Sequence, residues 1–314
     1  MVLKMSAKTA YLFTGQGAQT VGMGRDFYEA EPLAREIFDR ADELLGYSVS
    51  DICFNGPEER LNSTTVSQPG IFTTSVAMLE VLKSRTAVAA ADVTAGLSLG
   101  EYTALYAAGV INFEEGLRLV QKRGDAMQAA ADSSEGSMVS VMGLDQSQAE
   151  DLCKEASEGQ LLSCANFNCP GQIVITGEVE ACKRAVVLAE KHGAIKAIEL
   201  KVAGAFHSEL MSPAAAVLED ALRDCTIKDP GQVEVIANID AEYYRSGDQI
   251  SSGLVKQLTG AILWERSMER LLADGVEDFY EIGPGRVLTG LMRRISRKTK
   301  VVNVSSVEAL AKLS

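Results

Sequence analysis

The sequence predicts an α/β fold: a core built on a largely parallel sheet, interrupted by a smaller ferredoxin-like βαββαβ unit. Three observations carry this expectation. Short apolar runs suited to buried strands alternate with helical patterns along most of the 314 residues. The rhythm changes near Gly136 to strand, helix, two strands, helix, strand. A serine flanked by glycines, Gly96-Leu97-Ser98-Leu99-Gly100, stands where a strand passes into a helix.

In chain order, Ala10-Tyr11-Leu12-Phe13 is a buried-strand candidate running into the glycine-rich Thr14-Gly15-Gln16-Gly17-Ala18-Gln19. A dinucleotide fingerprint fails here, because G-x-G-x-x-G requires glycine where Thr20 stands. Helical patterns follow over 32–45 and 68–82, then a strand at 93–95, a helix over 101–108 and another over 113–130. In the inserted unit, 137–142 reads as a strand and 146–156 as a helix. A strand pair at 161–166 and 172–176 is joined by Pro170-Gly171, and a helix over 180–191 and a strand at 195–201 complete the unit. The core resumes with a helix over 211–223, a strand at 233–237, a helix over 265–273, a strand at 279–282 and a helix over 287–295. The expected division is a core of residues 1–135 and 204–314 around a subdomain of residues 136–203.

With 46% hydrophobic residues the chain can bury a sizeable core. A net charge of −13 argues against nucleic acid as a partner, since phosphate binding wants a basic field. No apolar run approaches the roughly 18 residues that span a bilayer, and the N-terminal stretch has no signal-peptide h-region. The expected location is cytoplasmic, without membrane attachment. Six cysteines form no C-x-x-C pair and only two histidines exist, so reduced thiols and no metal site are expected. Basic residues cluster locally at Lys191, Lys196 and Lys201 and from Arg293 to Lys300; charge patterning alone reads them as solvated faces.

Ser98 has two readings. In a G-x-S-x-G elbow it is a nucleophile, with glycines tolerating the sharp turn. With Glu101 it also makes an S-x-x-E capping box, a purely structural role. A nucleophilic serine needs a base, and His192 and His207 are the candidates. His192 precedes Gly193 at a helix end and reads as structural. His207 stands where the chain re-enters the core and is the remaining partner for Ser98.

Several motifs in order then resemble the malonyl-CoA:acyl carrier protein transacylases, nearly end to end. They are Phe13-Thr14-Gly15-Gln16-Gly17-Ala18-Gln19, Gly96 to Tyr102, Gln121-Lys122-Arg123-Gly124, and Ala165-Asn166-Phe167-Asn168 with Pro170 and Gln172. Gly204-Ala205-Phe206-His207-Ser208, Gln257-Leu258 and Glu281 to Leu288 follow. The resemblance implies a hydrolase-like core in which Ser98 takes a malonyl group and His207 acts as base and then acid. Gln257 would orient the histidine through a main-chain carbonyl, and the amides of Gln16 and Leu99 would form the oxyanion hole. Arg123 would bind the malonyl carboxylate; spacing alone reads it as a helix-surface arginine. Asn166 and Asn238 would be polar pocket positions, with turn or strand-end roles equally open, and Phe206 would limit room for an α-branch. Malonyl-CoA is then a substrate, acyl carrier protein the partner, and no cofactor is needed. Leu97 departs from the family's usual histidine, and Thr14 and Ala261 from its prolines. Two rival readings remain: a serine esterase or thioesterase with water as acceptor, and a non-catalytic carrier-protein binding module in which Ser98 only caps a helix.

Overall fold

The computed structural model describes residues 7–85 and 88–313. Five strands form a wholly parallel sheet and four form a separate antiparallel one. In chain order the strands are β1 (Lys8–Phe13), β2 (Val93–Gly96), β3 (Gly136–Met142), β4 (Leu162–Cys169), β5 (Gln172–Glu178), β6 (Lys196–Glu199), β7 (Glu234–Val235), β8 (Val276–Ile282) and β9 (Val301–Val304).

The large sheet has the order β7-β2-β1-β8-β9. Tyr11 and Phe13 of β1 join one apolar cluster while Ala10 and Leu12 join another, so both faces are covered. That is why β1 reads as a continuous apolar run and not as an alternating one. On one side lies the helix Thr64–Arg85, buried along nearly its whole length, packed against Phe113–Asp132. On the other lie Trp264, Met268 and Leu271 of one helix with Leu288, Leu291 and Met292 of another. Phe13 pairs in register with both Gly96 and Ile282. The carboxyl ends of β1, β2 and β8 therefore align, and the loops after β1 and β2 emerge side by side, the place where open parallel sheets bind ligands.

The small sheet has the order β4-β5-β3-β6, the arrangement a ferredoxin-like βαββαβ chain adopts. Val139, Val141, Ile173 and Ile175 pack against the helices Gln146–Ser157 and Val179–Leu188. The alternate residues Met138 and Val174 point the other way, toward the large core.

Several elements differ from the sequence reading. The helix read over 68–82 spans Thr64–Arg85 and carries Pro69 in its second turn. The helix read over 180–191 ends at Leu188, and a 3₁₀ turn, Glu190–His192, closes on Gly193 at φ 96°. The strand read at 233–237 shrinks to Glu234–Val235, because Ile236 bridges to Tyr243 and Asn238 turns toward the Ser98 elbow. The helices Arg25–Ala30, Val49–Asn55, Glu58–Asn62, Gly247–Thr259 and Val307–Ala311, and strand β9, were not foreseen. Among the described residues no helix is long and apolar enough to cross a membrane. None of the described His, Cys, Asp and Glu residues form a group able to hold a metal ion.

Candidate active site

Ser98 sits at the tip of the turn between β2 and the helix Gly100–Ala107, at φ 51°. A side-chain-bearing residue held in the left-handed region is strained, and such strain concentrates at functional sites. The turn is sharp enough that a Cβ on Gly96 would lie 1.9 Å from the Gly100 carbonyl. Gly15 is constrained in a similar way, since its Cβ would lie 2.3 Å from Leu97 O, so the loop after β1 presses directly on the elbow. The capping-box reading fails here. The Ser98 side chain caps nothing, and Glu101 turns into the protein interior.

Ser98 Oγ lies 3.0 Å from His207 Nε2 and 3.0 Å from an Arg123 guanidinium nitrogen. His207 Nδ1 lies 2.7 Å from the main-chain carbonyl of Gln257. A carbonyl only accepts, so Nδ1 carries the proton and Nε2 presents a lone pair to the serine hydroxyl. Gln257 stands in the last turn of Gly247–Thr259, where carbonyls have no partner within the helix. The same helix end carries partial negative charge, which favours an imidazolium as it forms. Burial first, and then the Arg123 charge, push His207 down to about 4, against the Gln257 bond that pulls it up. At neutral pH the ring is neutral, with Nδ1 protonated and Nε2 a free acceptor. His207 too has a positive φ, 59°. His192 lies elsewhere, at the surface beside Glu155.

Arg123 is no surface residue: only 1% of it is exposed. Its guanidinium donates to Gln68 Oε1 at 2.7 Å and to Gln257 Oε1 at 3.0 Å as well as to Ser98, and stacks over Tyr102 at 5.6 Å. All these partners are neutral, no described carboxylate forms an ion pair with it, and Nε has no acceptor. Desolvation lowers its pKa. A buried cation with only neutral partners is a costly arrangement that an incoming anion would relieve.

The amides of Gln16 and Leu99 have no protein acceptor among the described residues and flank the elbow. A cleft of about 470 Å³ opens over Ser98 and His207 between the two sheets. Gln16, Leu97 and Phe206 line it from the core, Asn166 and Asn168 from β4. Asn238, expected to line the acyl pocket, does not. Its Oδ1 accepts from Ser98 N at 2.7 Å and its Nδ2 donates to Gly96 O at 2.8 Å, so it braces the elbow from behind. The sequence reading missed Gln68, the partner of Arg123, and Tyr244, whose hydroxyl donates to Glu101 Oε1 at 2.6 Å, and nothing local in the chain marks either; Tyr102 lay within the elbow motif without a role.

The chain matches the acyl transferase domain family over residues 10–312. It is 43% identical over 305 residues to the malonyl CoA-acyl carrier protein transacylase of Bacillus subtilis, covering 97% of this chain and 95% of that one. It is 44% identical over 286 residues to the protein of the same name from Escherichia coli K12, covering 91% and 92%. Among solved structures it resembles a malonyl-transacylase in complex with its type II PKS acyl-carrier protein. There the TM-score is 0.94 at 39% identity, over 98% of this chain and 99% of that one.

Proposed function

The chain belongs to the acyl transferase domain family, and within it we propose that it moves malonyl from malonyl-CoA to the phosphopantetheine thiol of acyl carrier protein in fatty-acid biosynthesis. The single observation that supports this reading best is Arg123, a buried guanidinium without an anionic partner, 3.0 Å from the Ser98 hydroxyl. An esterase acting on neutral acyl groups has no use for such a group. An acyl donor ending in a free carboxylate does, because a guanidinium fork binds a carboxylate with two parallel bonds.

The reaction proceeds in two halves. In the first, Ser98 Oγ attacks the thioester carbonyl while its proton passes to His207 Nε2. The oxyanion is held by the Gln16 and Leu99 amides, and the imidazolium by the Gln257 carbonyl. Collapse expels CoA as its sulfur takes the proton back from His207, leaving a malonyl ester on Ser98. In the second, the carrier thiol gives its proton to His207 and attacks the ester, and the proton returns to Ser98 Oγ. Every step is polar and covalent, so the reading calls for no metal or redox cofactor, and malonyl-CoA enters as a substrate. Arg123 depresses the basicity of His207, and the malonyl carboxylate neutralises that influence. The correct substrate thus strengthens the base that attacks it. Asn166 and Phe206 shape the cleft around the acyl group, and residues 136–203 act as the subdomain closing it over the core of 1–135 and 204–314. The work is placed in the cytoplasm.

The test is the fate of the acyl group. Given malonyl-CoA and carrier protein, the chain should yield malonyl carrier protein with free malonate as a minor product; malonate as the main product would assign it to the hydrolases.

A further inference from the structure

The mechanism leaves unused a buried ionisable side chain that stands directly behind the site. Glu101 is fully buried one residue beyond the elbow. Its Oε2 accepts from Gln257 Nε2 at 2.8 Å and from Asn238 N at 3.3 Å, and its Oε1 meets the Tyr244 hydroxyl at 2.6 Å. The two residues it holds on Oε2 are the ones that organise the site. Asn238 receives the Ser98 amide. Gln257 contacts His207 through its carbonyl, Arg123 through Oε1 at 3.0 Å, and Ser98 O through Nε2 at 3.0 Å.

The chemistry of the donors fixes how this network is oriented. The Asn238 amide and the Arg123 guanidinium only donate, and the Ser98 carbonyl only accepts. Oε2 of Glu101 is therefore an acceptor whatever its protonation state, Gln257 Nε2 must face it, and Gln257 Oε1 must face Arg123. A flipped Gln257 amide would set oxygen against oxygen at Glu101 and Ser98 and donor against donor at Arg123, pushing Arg123 away from the position it holds beside Ser98. Desolvation raises Glu101 to about 7 against three hydrogen bonds and the nearby Arg123 charge, which lower it, so the neutral acid is within reach, and its proton would lie on Oε1 toward Tyr244.

We propose that Glu101 is a positioning residue for acyl selectivity: through Oε2 it locks the Gln257 amide so that Arg123 stays aimed at a carboxylate-bearing acyl group beside Ser98. The role belongs to reach and hydrogen bonding, not to charge. It rests on the reading of Ser98 and Arg123 given above.

Two variants separate the terms. Glu101→Gln keeps the reach, with its oxygen in the place of Oε2 and its amide donating to the Tyr244 hydroxyl. Glu101→Asp keeps the charge and shortens the reach by one carbon. The readout is kcat/KM for malonyl-CoA divided by that for acetyl-CoA, on protein shown to be folded by its thermal transition. Glu101→Gln should hold this ratio within about threefold of the native value, and Glu101→Asp should lower it at least about tenfold. A Glu101→Gln variant that loses the ratio, or a folded Glu101→Asp variant that keeps it, overturns the proposal. The native chain serves as the control for the underlying reading: if it forms no malonyl ester on Ser98, that reading has failed rather than this one.

Discussion

Replacing Arg123 by alanine isolates the interaction on which substrate choice depends in the proposed mechanism. Its fork can give a carboxylate two charge-assisted hydrogen bonds, each contributing about 1.5–3 kcal/mol, so about 3–6 kcal/mol of transition-state stabilisation is at stake. At a factor of ten per about 1.4 kcal/mol, kcat/KM for malonyl-CoA should fall by about 10²- to 10⁴-fold. Acetyl-CoA, with no carboxylate, loses none of these bonds. It also meets a His207 relieved of a neighbouring cation and so more basic. Acetyl transfer should fall less than about tenfold or rise. The substitution also orphans Gln68 Oε1 and Gln257 Oε1, at about 1–3 kcal/mol each, while removing a desolvated cation. Thermal denaturation of the variant separates that effect from catalysis. The assay is transfer of each acyl group to carrier protein under steady-state conditions. Equal losses for both donors would refute the reasoning, because they would make Arg123 a structural brace.

Three further outcomes follow. His207 must be neutral to act as base and is pushed down to about 4, so kcat/KM should persist as pH falls from 7 to 5.5 and decline only nearer 4; a limb near 6.5 would contradict the burial argument. The same groups set a stability signature. Between about 6.5 and 4 the unfolded chain protonates His207 while the fold resists, so stability falls with pH by up to about 3 kcal/mol; Glu101, raised to about 7, binds its proton in the fold first and opposes this. The native protein should therefore show a shallow slope, and Glu101→Gln should uncover the His207 decline in denaturant titrations. Of the basic residues, Lys191 is paired with Glu155 and Arg294 is held on the 170–171 carbonyls, whereas Lys201 lines the cleft. Lys201→Glu should raise KM for an acidic carrier about tenfold and reverse its salt dependence, leaving acylation by a malonyl thioester of a small uncharged thiol unchanged; an unaltered carrier KM would place docking elsewhere.

The parts of the site legible in the sequence are those with a local signature. Ser98 was marked by its flanking glycines and the strand before it, and His207 by the scarcity of histidine. Arg123 shows where local reasoning ends. Its helix spacing suits a surface position, yet the helix Phe113–Asp132 turns that face onto Tyr102 and Gln68, contacts set by packing between distant segments. The Gln257 contribution is a main-chain carbonyl, which has no side-chain signature; only the family resemblance located it. Ser98 and Glu101 have capping-box spacing, but the positive φ of Ser98 swings its hydroxyl to His207, and Glu101 finds partners more than 130 residues away. In the fold, strands buried on both faces and strongly amphipathic helices were legible. Gly247–Thr259 was not, because its glycines and serines weaken the helical signal and its place is secured by packing against Ser212–Arg223.

The account's central claim is a malonyl ester on Ser98 formed before any carrier protein arrives. Intact-protein mass spectrometry after mixing the chain with malonyl-CoA alone tests it, with peptide mapping to locate the modification. One malonyl group per chain should appear on Ser98 with release of one CoA, should vanish in Ser98→Ala, and should be discharged on adding carrier protein. Transfer to carrier protein without such an adduct, or an adduct that survives Ser98→Ala, would contradict it.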